Sequence, residues 1–172
     1  MKIINNHKRS KVYYNDTKDE YVKLFFPKFS KKLKYFFGLR KYPGHNFKFI
    51  SDELNKLGIH TAKIIKYGKY SVITKNIDGK NLDEYTKGNI KHPILKDFIK
   101  IVSTILKNNI YFGDFNFKNF IVKNNKIYAI DLEDYRKEKF GTHSIDYAIK
   151  GMEEQLPASI TSKVKEELTC SR

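Results

Sequence analysis

A short hairpin flanked by polar residues is the feature that most constrains the fold of this chain. Residues 120–122 and 127–130 are apolar and predict paired strands, and Asn124-Asn125 predicts the tight turn between them, because asparagine tolerates positive φ. Asn119 lies at the start of the first strand and Asp131 ends the second, so pairing brings these two residues together. The hairpin therefore predicts an amide and a carboxylate side by side.

A second carboxylate precedes the hairpin in the polar stretch 111–118. Asp114 lies five positions before Asn119, and a loop there would place it beside the hairpin end. Carboxylate and amide oxygens suit Mg²⁺, and a carboxylate that does not bind the metal can accept a proton from an attacking hydroxyl. Phosphoryl transfer needs mainly these parts. The alternative is structural: a turn, a loop cap and a strand-end acid. The combination of the three residues favours the chemical interpretation.

The rest of the chain predicts an α+β fold, with a small β-rich lobe at 1–77 and a mostly helical lobe at 78–172. In the basic aromatic segment 28–42, one helical face can hold Phe29, Leu33, Phe36 and Phe37. Pro43-Gly44 is expected to end that segment, and Gly58 to follow the next helix as its C′ residue. Further strands are predicted at 1–5, 11–15, 21–26, 62–66 and 70–74, and helices at 46–57, 82–85, 93–107, 143–151 and 159–168.

The motifs resemble those of kinase-like phosphotransferases. The run GDFNFKNFIV at 113–122, followed by YAIDL at 128–132, is similar to their catalytic loop and metal-binding aspartate. The nearest group is the lipopolysaccharide core heptose kinase family, and the resemblance covers about residues 10–150, being specific at 113–132. It implies a minimal protein-kinase-like fold of two lobes, with ATP and Mg²⁺ as cofactors.

The resemblance also implies roles, position by position. Asp114 would be the catalytic base. The other residues implied are the metal ligands Asn119 and Asp131, the nucleotide-binding Lys23, Lys75, Asn76 and Ile77, and the loop-supporting Asn116, Lys118 and Asp146. For Asp146 an exposed helix position is an equal alternative. Phe112 and Asn116 stand where the family pattern has histidines.

Lys23 is also singled out by its own surroundings. It lies inside the apolar run 21–25, where alternation puts it on the opposite face from Val22 and Leu24. The alternative is a strand lysine that faces solvent. Asn46 sits about where the acid that pairs with such a lysine is expected, and Glu53 is the other candidate partner.

The N-terminal region departs from the kinase pattern in one respect. Residues 5–10 read NNHKRS, so no glycine-rich phosphate loop is present there. This departure, together with the unclear partner of the lysine, leaves open a non-catalytic pseudokinase that binds polyanions.

The positive charge of the chain bears on its substrate. Lys and Arg number 34 against 19 Asp and Glu, which gives a net charge of +15 and favours polyanionic partners. Residues 28–42 carry basic residues beside aromatic ones, as suits an anionic lipid surface or saccharide. The alternative is that the aromatic face packs into the first lobe while the lysines solvate it.

The favoured function is therefore ATP-dependent transfer of a phosphoryl group to a hydroxyl, and the favoured acceptor is a heptose-like sugar on a lipid-linked saccharide. Alternatives within the same fold are a protein Ser/Thr kinase and a small-molecule phosphotransferase. Nucleic acid is the less favoured polyanion. Cys170 is the only cysteine and no signal peptide is visible, so we expect a cytoplasmic protein that contacts the inner membrane peripherally through 28–42.

Overall fold

The first part of the chain forms an antiparallel sheet. The computed structural model describes residues 1–112, 114–137 and 145–169. The elements of this part are β1 (Lys2–His7), β2 (Ser10–Asn15), β3 (Glu20–Phe25), α1 (Phe29–Phe36), α2 (Pro43–Lys56), β4 (His60–Thr61), β5 (Ile64–Gly68) and β6 (Ser71–Lys75). Five strands pair in the order β1-β2-β3-β6-β5, and the strands predicted in residues 1–26 are confirmed within two residues at their ends.

Helix α2 begins earlier than expected. Pro43 occupies its first turn, where the missing N–H costs nothing, so the prediction that the helix starts at about residue 46 is wrong. Gly44 is needed inside the helix because a Cβ there would collide with the carbonyl oxygen of Gly68. Gly58 follows the helix with φ +75°, which confirms its predicted place.

The second part is mostly helical and carries the predicted hairpin. Asn124 and Asn125 both have positive φ, at 49° and 55°, as expected for its turn. The elements are β7 (Lys80–Asn81), α3 (Leu82–Thr86), α4 (Ile94–Lys107), β8 (Ile110–Tyr111), β9 (Phe120–Lys123), β10 (Lys126–Ala129), β11 (Arg136–Lys137), α5 (Ile145–Glu153) and α6 (Ala158–Thr169). The first two residues of the helix predicted at 143–151 lie outside the described residues.

Helix α4 is the centre of the core. Its apolar residues are buried as predicted, and the ring of Phe98 contacts those of Phe117 and Phe120, with centroids 5.1 Å and 4.9 Å apart. These contacts fix the start of the hairpin against the helix. A second sheet has the order β4-β10-β9-β7, in which β4 pairs with β10 in parallel and so joins the two parts of the chain.

Helices in the described part of the chain are too short or too polar to cross a membrane.

Candidate functional site

A cleft of about 890 Å³ lies between the five-stranded sheet and the hairpin. Most of the residues predicted for the site line it: Lys23, Lys75, Asn76, Ile77, Asp114, Asn116, Lys118, Asn119 and Asp131. Asn46 is buried and does not line the cleft, and Glu53 lies near the C-terminal end of α2. Asp146 is exposed in the first turn of α5, and its role as a support of the loop stays a prediction.

The loop before the hairpin is shaped by its own side chains. The Asn116 Oδ1 accepts a hydrogen bond from the Lys118 backbone N–H at 3.0 Å, and the Asn119 N–H donates to the Asn116 carbonyl at 2.9 Å. This is a cap that closes a short 3₁₀ turn over residues 117–119. The turn delivers Asn119 to the cleft while Lys118 stays exposed.

Asn119 connects the other two polar residues. Its Nδ2 donates to the carbonyl oxygen of Asp114 at 3.1 Å, and its own carbonyl accepts from Ile130, the neighbour of Asp131, at 2.9 Å. The structure therefore brings Asp114, Asn119 and Asp131 to one cleft wall.

The backbone of Asp131 is in the left-handed region, at φ +67°. This conformation is uncommon for a residue with a side chain and is found at sites where the surrounding structure enforces it. It changes the direction of the chain directly after β10. The Asp131 carboxylate, about 40% exposed, contacts Lys23 across the cleft.

Lys23 projects into the cleft from the opposite wall. Alternation along β3 puts it on the same face as Tyr21 and Phe25, which line the cleft too. Its side chain is only 14% exposed, so the alternative of a solvent-facing lysine is wrong. Its Nζ lies 2.6 Å from the Glu133 carboxylate, which is equally buried.

Neither predicted partner of Lys23 pairs with it. Asn46 instead donates its Nδ2 hydrogens to the backbone carbonyls of Glu133 at 3.0 Å and Tyr135 at 2.9 Å. Glu53 pairs with Lys56 and Lys137, and the hydrogen bonds that they donate, that of Lys137 most, lower the pKa of its carboxyl.

Burial explains why Glu133 is the acid that pairs with Lys23. A buried lysine needs an anion, and the buried start of α2 carries an amide there, so the segment after Asp131 supplies the acid. Helix α2 holds that segment in place, because the Asn46 side chain bonds the backbone carbonyls of Glu133 and Tyr135. The sequence signal was the acidic pair Glu133-Asp134 directly after the aspartate motif.

Residues 75–77, the predicted nucleotide-binding residues that we call the hinge, are bonded to the turn between β2 and β3. The Asn76 N–H donates to the Asp19 carbonyl at 3.1 Å, and its Nδ2 donates to the Asp19 carboxylate at 2.9 Å. The Tyr14 hydroxyl, more than Asn76, lowers the pKa of that carboxyl. Lys75 also donates its backbone N–H internally, to Lys63. Within the described part of the chain, the N–H of Ile77 donates to no backbone acceptor.

An aromatic pair stands behind Asp114. Phe112 stacks on Tyr135 with ring centroids 3.8 Å apart and planes 12° from parallel. Tyr135 is fully buried, and its hydroxyl has no hydrogen-bond partner among the described residues. Burial, with a smaller contribution from the charge of Asp114, raises the pKa of Tyr135. Sequence reasoning missed this pair, because nothing in the chain pattern links residues 112 and 135.

The polar residues suit a magnesium ion that is shared with a ligand. Among the described residues, no group of three or more His, Cys, Asp or Glu could hold a metal alone. Asn119 and Asp131 offer one amide and one carboxylate, and Mg²⁺ is usually bound by one or two carboxylates together with phosphates and water. The donor set therefore fits a magnesium nucleotide better than a protein-only metal site.

Comparison with solved structures identifies the fold. The Rio2 kinase-ADP/Mg²⁺-phosphoaspartate complex from Chaetomium thermophilum matches with a TM-score of 0.61 and 12% identity, over 98% of this chain and 62% of that one. The streptomycin-ATP-APH(2")-IIa ternary complex matches with a TM-score of 0.62 and 13% identity, over 97% of this chain and 76% of that one. The predicted kinase-like fold with a β-sheet lobe and a helical lobe is thereby confirmed.

Other comparisons give no relative. No family model and no curated protein matches the chain, so the resemblance to the heptose kinase family stays a prediction. The chain spans less than two thirds of the length of the Rio2 kinase structure.

Proposed function

We propose that the chain is an ATP- and Mg²⁺-dependent phosphotransferase that moves the γ-phosphoryl group to a hydroxyl. The observation that carries this proposal is one cleft that holds Asp114, Asn119 and Asp131 on one wall and Lys23 on the other. The fold supports it, since the two similar structures were solved as complexes with ADP and Mg²⁺ and with ATP.

The nucleotide would lie along the sheet side of the cleft. The N–H of Ile77 is the hinge group offered to the adenine base, with Lys75 and Asn76 forming the hinge around it. Lys23 would contact the phosphates, and Glu133 would hold its ammonium in place, as a helix glutamate does in protein kinases. Arg9, from the turn that replaces a glycine-rich loop, lines the same cleft and adds positive charge.

The transfer itself would use the hairpin side. Asn119 and Asp131 would hold Mg²⁺, which neutralises charge on the phosphates when bound. Asp114 would accept the proton of the acceptor hydroxyl as its oxygen bonds to the γ-phosphorus. The bond from that phosphorus to the bridging oxygen breaks, and ADP leaves with the electron pair. Asn116 and Lys118 would support the loop that holds Asp114.

The acceptor we favour is a heptose-like sugar of a lipid-linked, anionic saccharide such as the lipopolysaccharide core. The positive charge of the chain supports it, and so does the motif resemblance at 113–132. Such an acceptor would place the protein at the cytoplasmic face of a membrane, with contact through 28–42. A protein Ser/Thr kinase and a small-molecule phosphotransferase would use the same site residues.

A labelled-phosphate assay tests the proposal. The chain is incubated with γ-labelled ATP and Mg²⁺, and offered a lipid-saccharide extract, a protein mixture or an aminoglycoside in separate reactions. We expect label in the lipid-saccharide fraction, and its loss in Asp131→Ala. Asp97→Ala, an exposed acid of α4, is the matched control and should keep full transfer.

The outcome of this assay distinguishes a sugar kinase from another phosphotransferase of the same fold and from a non-catalytic pseudokinase. Label on protein or on the small molecule would replace the acceptor and keep the chemistry. No transfer to any acceptor, together with no ATP hydrolysis, would overturn the enzyme and favour the pseudokinase. In that case salt-sensitive binding of RNA or DNA would identify the polyanion.

A further inference from the structure

One face of α1, together with residues 37 and 39 after it, forms an apolar surface that is exposed to solvent. Phe29, Leu33 and Phe36 share one face of the helix, and they are 75%, 43% and 77% exposed. Phe37 and Leu39 extend this surface, with 67% and 77% exposure. The expectation that the aromatic face packs into the first lobe is therefore wrong. A contiguous exposed apolar patch on a folded chain marks an interaction surface.

Basic residues surround this apolar surface. Helical spacing places Lys32 and Lys34, both exposed, on the two flanks of the stripe, and Lys28 precedes the helix. No acidic residue occurs anywhere in 28–42. An apolar stripe with flanking lysines is the pattern of helices that lie in the headgroup region of an anionic membrane.

The opposite side of α1 is attached to the protein beside the cleft. Tyr35 is its buried residue and contacts the ring of Tyr70 at 6.5 Å between centroids. Lys31 and Arg40 lie 3.8 Å and 3.3 Å from the Asp134 carboxylate, and Lys31, Tyr35 and Asp134 all line the cleft. These anchoring contacts leave the apolar stripe of α1 exposed on the other side of the helix.

We propose that residues 29–39 dock on an anionic phospholipid surface. The rings of Phe29, Phe36 and Phe37 enter the interfacial region, and the flanking lysines contact the headgroups. The apolar centre of the surface argues against nucleic acid as the partner. Proteins bind single-stranded nucleic acid in positively charged grooves whose aromatic side chains stack on the bases. The docking requires no nucleotide, so it is tested separately from phosphoryl transfer.

Sedimentation with vesicles tests the docking. The chain, without nucleotide, is mixed with vesicles of phosphatidylcholine alone or of phosphatidylcholine with phosphatidylglycerol. We expect binding to the anionic vesicles that weakens as salt is raised, because salt screens the lysine contacts. The double variant Phe36→Ser/Phe37→Ser should lower the vesicle affinity by about tenfold or more. The matched control Ile65→Ser/Ile90→Ser removes two other exposed side chains and should bind as the parent chain does.

Fluorescence locates the contact. The chain contains no tryptophan, so Phe36→Trp introduces a single indole on the surface. Its emission should shift to shorter wavelength with anionic vesicles, while that of Ile90→Trp should not change. Three results would overturn the proposal: no binding to anionic vesicles, undiminished binding of Phe36→Ser/Phe37→Ser, or self-association of the chain that this double variant abolishes. The last would assign the surface to a protein contact.

Discussion

The two walls of the cleft are built in different ways. The hairpin wall takes Asp114, Asn119 and Asp131 from one short stretch of chain and joins them by hydrogen bonds to backbone carbonyls, one donated by the Asn119 side chain and one by the Ile130 N–H. The sheet wall contributes Lys23, whose contact with Asp131 spans 108 positions of sequence. Local chain geometry thus determines the positions of the three polar residues on the hairpin wall. Tertiary contacts determine where Lys23 lies relative to them.

The two walls also differ in their support. The hairpin rests on α4, where Phe98 and Leu106 are completely buried. The sheet wall ends in β1, which is exposed along its whole length, and β2 contains no fully buried residue. We expect changes on the hairpin wall to cost more in both activity and stability than changes on the sheet wall.

The largest effect is expected at Asp114. Asp114→Asn removes the proton acceptor, and kcat should fall by about 10²–10⁴-fold, the contribution of general base catalysis. Asp97→Asn should leave kcat unchanged because it is exposed on α4. Steady-state kinetics with labelled ATP measures both. Equal activity of the two variants would show that the hairpin wall does not carry the chemistry.

The difference in support is tested by unfolding in urea. Phe98→Ala removes a buried ring from beneath the hairpin and should lower the free energy of unfolding by about 3–5 kcal/mol. Ile3→Ala, on the exposed β1, should change it by less than about 0.5 kcal/mol. Similar losses in the two variants would contradict the contrast between the walls.

Glu133→Gln tests the cross-cleft pair. It removes the charge that faces the Lys23 ammonium and should raise KM for ATP about tenfold, with a smaller effect on kcat. Glu133→Asp should recover part of the loss. Glu53→Gln is the control, since Glu53 pairs with Lys137 and Lys56 instead.

The same variant separates positioning from metal binding. Glu133→Gln should leave the Mg²⁺ concentration for half-maximal activity unchanged, whereas Asp131→Asn should raise it. A matching rise in both variants would make Glu133 a metal ligand and not the partner of Lys23.

The smallest effect is expected at Tyr135. Its buried hydroxyl has no partner among the described residues, so Tyr135→Phe should leave the free energy of unfolding unchanged or raise it by up to about 1 kcal/mol. Because burial raises the pKa of Tyr135, its phenol stays protonated at neutral pH and the parent and variant should share one pH profile there. A clear loss of stability on thermal unfolding would reveal a partner for the hydroxyl.

Much of this architecture was predictable from the chain pattern. The turn at Asn124-Asn125, the apolar stripe of α4 and the alternation around Lys23 were each read correctly, because they depend on neighbours within a few residues. The start of α2 was misread, since the need for glycine at residue 44 arises from the distant carbonyl of Gly68.

The sequence by itself determined the hairpin, the three polar residues around it and the basic, aromatic character of 28–42. Backbone propensity and the periodicity of apolar side chains are local properties, so they can be assigned from the sequence without knowledge of the fold. Only the tertiary structure decided that Glu133, not Asn46 or Glu53, faces Lys23, and that the phenylalanines of α1 point outward while its tyrosine is buried. Both depend on which segments meet in space, because burial of a charge or a ring is fixed by the packing of distant elements.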